Sequence, residues 1–155
     1  MFKNPRNMFG RHIDRFFSVL PFAFIIYHAL NFFNDSTHMN ILFQIIINYC
    51  LSCVLKHIFK SSRRFKTYEF KEWSIINRLK FMKSHYSFPS SHAMFFTKYY
   101  LLYPNIAILF LCTCGIISRL IYQHHTLPEI AIGVACVLMI EISIYLLYHY
   151  NTYIQ

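Results

Sequence analysis

The sequence predicts an all-α fold, an integral membrane bundle of about five transmembrane helices, and three observations predict it. Apolar residues make up 56% of the 155-residue chain and charged residues only 14%, against roughly 25% charged in an ordinary soluble domain. The apolar residues gather in long, unalternating runs, which suits helices and not barrel strands, because backbone polar groups in lipid must bond within their own segment. Most of the Lys and Arg residues fall at positions 1–15 and 56–83, outside those runs, as loop cations of membrane proteins do. The length fits one domain, residues 1–155. The formal net charge of +9 invites a nucleic-acid reading. Cations confined to loops point instead to anionic headgroups of the lipid bilayer or a phosphorylated substrate, so no nucleic-acid partner is expected.

The elements follow in order. Residues 1–15 read as a basic, polar N-terminal tail. Residues 16–33 are mainly apolar and reach the roughly 17–25 residues that a crossing takes. A basic flank without a small-x-small cleavage site makes this segment an uncleaved signal-anchor. Residues 34–38 form a short turn, and residues 41–55 form a second span ending at Lys56. Residues 61–87 read as a long polar loop, with Trp73-Ser74-Ile75-Ile76 at the interface. A third helix begins at Ser90 or Ser91, carries Lys98 and stops at Tyr103, because Pro104 breaks it. Residues 105–117 form the fourth span. Pro128 suits the first turn of a fifth, which runs to about Tyr148. Counting crossings puts Lys56–Arg64, Ser90–His92, Ser118-Arg119 and His125–Glu129 on one side of the bilayer.

The five cysteines, Cys50, Cys53, Cys112, Cys114 and Cys136, all fall in apolar runs. They lack His or Asp companions at ligand spacing and read as small hydrophobes. Glu141 falls mid-span and reads as a neutral or hydrogen-bonded packing residue, not as part of a site.

Three short motifs carry chemistry. Lys56 is followed after six residues by Arg63, then Arg64. Pro89-Ser90-Ser91-His92 opens the third helix. Ser118-Arg119 is followed after five residues by His125 and after three more by Glu129. In order and spacing they resemble the type 2 phosphatidic acid phosphatase superfamily, whose motifs are Lys-six-Arg-Pro, Pro-Ser-Gly-His and Ser-Arg-five-His-three-Asp. Arg64 stands where that family has Pro, Ser91 where it has Gly, and Glu129 where it has Asp. Pro-Ser-Ser-His and His125-Thr126 look most like the dolichyl-diphosphatase branch, as do Gln44 and Asn48 upstream of Lys56. The resemblance covers residues 44–133. It implies a type 2 phosphatidic acid phosphatase-like core and a metal-independent hydrolase without cofactor. The implied substrate is an isoprenoid diphosphate, dolichyl diphosphate, in the endoplasmic reticulum membrane, where its hydrolysis recycles the carrier lipid for N-glycosylation.

The residue roles it implies make physical sense. His125 is the nucleophile, forming a phosphohistidine. Glu129, one helical turn on, orients its ring, and His92 is the general acid and then base. Lys56, Arg63 and Arg119 compensate phosphate charge. Ser90, Ser91 and the free N–H groups opening the third helix cradle an oxyanion. Duller readings stand beside these. Ser90 also reads as an N-cap, Thr126-x-x-Glu129 as a capping box, and Arg119 as a snorkelling helix end. His124 competes with His125, and Lys71 with Arg78 repeats the Lys-six-Arg spacing. Lys56 is preferred because it closes an apolar helix. Phosphoryl transfer to a lipid acceptor, a phosphatidic acid substrate and a catalytically inactive membrane scaffold are the alternatives. Loop charge puts the site in the cytosol, whereas the resemblance implies the lumen, and the side stays open. The oligomeric state is not readable.

Overall fold

Apolar runs ended by capping residues give five α-helices, with no strand among the described residues: α1 (Met8–Leu30), α2 (Ser36–Phe59), α3 (Ser91–Leu102), α4 (Ile106–Ile121) and α5 (Leu127–Ile154). The computed structural model describes residues 8–33, 35–61 and 87–154. Arg63, Arg64, Lys71, Arg78, the Trp73 segment and most of the expected 61–87 loop lie outside them.

Local capping moves both ends of α2 and the C-terminal end of α4 outward from the positions expected of the apolar runs. α1 starts at Met8, so residues 8–15 of the expected tail are helical. Asp35, extended at φ −155°, accepts the Thr37 N–H and starts α2 inside the expected 34–38 turn. α2 continues one turn past Lys56, because Lys60 turns left-handed at φ 45° and returns its N–H to the Lys56 carbonyl at 3.0 Å. α4 runs a turn past Ile117 and takes in Ser118 and Arg119. It closes on a Schellman pair, His124 N–H to Arg119 O at 3.0 Å and Gln123 N–H to Leu120 O at 3.1 Å. Gln123, at φ 57°, occupies the left-handed position that usually takes glycine.

Three segments, His12–Leu30, Ser36–Phe59 and Leu127–Tyr150, are long and apolar enough to cross a membrane. α3 and α4 have 12 and 16 residues, about 18 and 24 Å of rise, short of a hydrocarbon core of about 30 Å. Pro104 cannot prolong α3, and Asn105 caps α4 by accepting the Ile108 N–H at 2.9 Å. The pair is therefore a short antiparallel hairpin.

α3 is the central helix and packs against each of the other four described helices. Its Phe95, Phe96 and Tyr99 join Ile41, Ile45 and Cys112 in the core, with Phe24 of α1 stacked on Tyr99 at 4.0 Å between ring centroids. Gly115 of α4 leaves room for the Phe96 ring and Gly133 of α5 for the Ser90 carbonyl. Large apolar side chains such as Phe43, Phe110, Met139 and Leu147 face outward, as lipid contact requires. The charges in the apolar layer are paired: Lys98 Nζ donates to Glu141 Oε1 at 2.5 Å. Glu141 is thus an ion-pair partner and takes no part in the histidine cluster. At the far end, fully buried His28 meets His38, with 2.9 Å between the Nδ1 atoms.

Candidate functional site

The C-terminal ends of α2 and α4 and the N-terminal ends of α1, α3 and α5 meet at one end of the bundle. Ser52 Oγ on α2 donates to Ser91 Oγ on α3 at 2.7 Å. The Ser90 N–H donates to the Glu129 carbonyl at 3.1 Å, tying α3 to α5. Lys56 lies one turn beyond Ser52 and is buried, 6% exposed.

Glu129 organises the start of α5. Its Oε1 accepts from Ser87 Oγ at 2.6 Å, and its Oε2 accepts the Thr126 N–H at 2.8 Å. The same Oε2 lies 3.3 Å from His125 Nδ1. The capping box and the His–carboxylate pair therefore coexist, and one carboxylate serves both. A carboxylate at Nδ1 leaves the Nε2 edge of the ring as the nucleophilic one. Ser87, just before the second motif, carries no signal in sequence beyond its small polar character.

His92 stands in the first turn of α3, and its Nε2 is buried without a hydrogen-bond partner among the described residues. Arg119, His125 and His124 lie close enough to act on it electrostatically, and it faces the Ser18 backbone. The two catalytic candidates thus share one end of the bundle. Ser90 accepts the Ala93 N–H at 3.3 Å, which is the N-cap reading, and Ser91 bonds to Ser52. Both hydroxyls are engaged in building the helix start, so α3 presents its opening N–H groups in a fixed place.

Arg119 is placed otherwise than the motif implies. It is buried in the last turns of α4, where Nε donates to Ser118 Oγ at 3.1 Å and Nη1 to Ser18 Oγ at 2.9 Å. Nη2 donates to the Asp14 carbonyl at 3.3 Å and to Asp14 Oδ1 at 3.1 Å. The fork expected to take a substrate phosphate is filled by α1. Asp14 also holds His124, whose Nε2 lies 2.8 Å from Oδ1. Its side chain is thereby directed to Asp14, while His125 next to it is directed to Glu129. Both residues send their amide N–H to the Arg119 carbonyl, at 3.0 and 3.2 Å. Burial pushes the Tyr122 phenol up, the Asp14 carboxylate adds to that, and Arg119 opposes it. The tyrosine stays neutral beside the cluster.

Asp14 and Ser18 are the members that motif reading missed. Asp14 is the lone acid in a basic stretch, four positions before Ser18 on the same helix face, and that is the signal that could have found it. Among the described residues no cluster of three or more His, Cys, Asp or Glu side chains has metal-holding geometry. Cys112 is buried in the core, and Cys50 and Cys53 are exposed on α2. Comparison with known protein families, curated proteins and solved structures finds no match to this chain.

Proposed function

We propose that this protein is an integral membrane lipid phosphatase that hydrolyses dolichyl or another polyprenyl diphosphate to the monophosphate and inorganic phosphate. His125 Nε2 attacks the terminal phosphorus, and the bond from that phosphorus to the bridging oxygen breaks. His92 protonates the departing lipid monophosphate. A water, deprotonated by His92, then attacks the phosphohistidine and releases phosphate. Glu129 steadies the ring and the positive charge that builds on it. Lys56, the N–H groups of α3, Arg63 and Arg119 offset phosphate charge. The observation that supports this reading is that His125, with Glu129 Oε2 3.3 Å from its Nδ1, and His92, whose Nε2 is buried without a hydrogen-bond partner among the described residues, stand at the same end of the bundle. The carrier-lipid recycling role, the endoplasmic reticulum location and a five-crossing topology belong to the same proposal.

A phosphate-release panel tests it. Prenyl diphosphates should be hydrolysed in the presence of chelator and in preference to phosphatidic acid, and His125→Ala should abolish release. Release from phosphatidic acid alone would move the substrate to another lipid phosphate. Equal release by wild type and His125→Ala would remove the mechanism. The filled guanidinium of Arg119 favours a second reading, a catalytically inactive membrane scaffold, which folded wild-type protein releasing no phosphate would support.

A further inference from the structure

The Asp14 carboxylate bridges two basic side chains of the site. Oδ1 accepts from Arg119 Nη2 at 3.1 Å and lies 2.8 Å from His124 Nε2, and Oδ2 lies 2.9 Å from the same ring nitrogen. An oxyanion held between a guanidinium and an imidazole is the arrangement these groups would offer to a phosphoryl oxygen. We infer that Asp14 is a built-in occupant of a phosphate subsite between Arg119 and His124, and that a phosphorylated ligand enters by displacing it. The inference rests on the phosphatase reading for the identity of the ligand as a lipid diphosphate.

The contacts of α1 with Arg119 divide into fixed and exchangeable ones. Ser18 Oγ and the Asp14 backbone carbonyl hold Nη1 and Nη2, and both remain when the Asp14 side chain rotates. The guanidinium therefore stays anchored while the carboxylate exchanges for a phosphate. Exposure points the same way. The Asp14 side chain is 14% exposed and that of Arg119 2%, so the carboxylate is the outer member of the pair, the one an incoming anion meets first. The subsite also adjoins the nucleophile, because His124 and His125 are fastened by their amides to the same Arg119 carbonyl. Displacing a carboxylate by a phosphate keeps the buried guanidinium paired throughout, which avoids the penalty of stranding a buried charge. The subsite gives His124 a function that the catalytic motif alone does not.

Full-length protein in lipid nanodiscs, with inorganic phosphate as the probe, tests this. Asp14→Asn keeps the shape and removes the negative charge. By calorimetry it should bind phosphate about tenfold more tightly than wild type, the factor for a subsite open about one-tenth of the time. Adding His124→Ala should cancel that gain. Unchanged or weaker binding by the folded variant overturns the inference and leaves Asp14 as a structural anchor. A second measurement needs no variant: phosphate added to wild type should shift the side-chain carboxyl carbon resonance of Asp14 while amide hydrogen exchange in α1 stays unchanged, because the Ser18 and Asp14 backbone contacts hold, and an unshifted carboxyl resonance also overturns it. The two proposals fail separately. Tighter phosphate binding by Asp14→Asn with no release from any lipid diphosphate would sink the phosphatase and keep the subsite. Release with unchanged binding would do the reverse.

Discussion

Glu129 has two oxygens and three claims on them: Ser87 Oγ on one, the Thr126 N–H and His125 Nδ1 on the other. A carboxylate only accepts, so it takes the Ser87 hydroxyl and the Thr126 N–H and stands as an anion beside the His125 ring, whereas an amide must present a donor on one side. Glu129→Gln should therefore lose the steadying of His125 and lower kcat by about a hundredfold or more, measured as single-turnover phosphate release. Glu129→Asp, charged but shorter, should fall between the two. Full activity in Glu129→Gln would leave this side chain only its capping role. At this scale the third motif was legible because its spacing brings His125 and Glu129 together, although His125 stands in the turn before α5 and not on the helix. Asp14 was not. Its partners lie more than a hundred positions away at Arg119 and His124, and no local pattern reports a contact of that separation. The Lys98–Glu141 pair was half legible: each charge stands out in an apolar run, but their pairing depends on how α3 and α5 pack.

The helices were legible from their apolar runs, and their ends were not. Lys60 and Gln123 close α2 and α4 from left-handed conformations that glycine would have announced and these residues do not. The extra turns matter, because they bring Lys56 and Arg119 inside helices and fix where their side chains leave the backbone. α3 is the element on which the site depends most, since Ser90, Ser91 and His92 open it and Gly133 sets how closely it approaches α5. A Cβ at Gly133 would stand 2.9 Å from the Ser90 carbonyl oxygen and 3.3 Å from Ala93 Cβ. A backbone atom cannot yield as a side-chain tip can. Gly133→Ala should then cost about 1–3 kcal/mol in thermal unfolding and reduce phosphate release by shifting His92. A stable variant with wild-type turnover would show that this approach has slack.

Taken whole, the described residues gather one polar cluster at one end of the bundle and hold further polar side chains in pairs elsewhere. Lys98 neutralises Glu141 in the apolar layer, and His28 meets His38 at the opposite end. The end that gathers α1, α3, α4 and α5 brings together His92, His124, His125, Arg119, Asp14 and Glu129 from separate helices and turns. Among the described residues the clusters expected to converge, Lys56, Ser90–His92, Ser118-Arg119 and His125–Glu129, stand at one end of the bundle, although three helices and not five are long and apolar enough to cross a membrane. Arg63, the remaining cation of the first motif, lies outside the described residues. The most direct measurement is covalent trapping. Protein mixed with prenyl diphosphate labelled at the terminal phosphorus, then quenched in alkali within one turnover, should carry label on His125. That label should be absent from His125→Ala, and in His92→Ala, which lacks both the acid of the first step and the base of the second, it should form and decay more slowly than in wild type. Label on no histidine during active turnover, or undiminished labelling in His125→Ala, would contradict the phosphohistidine mechanism.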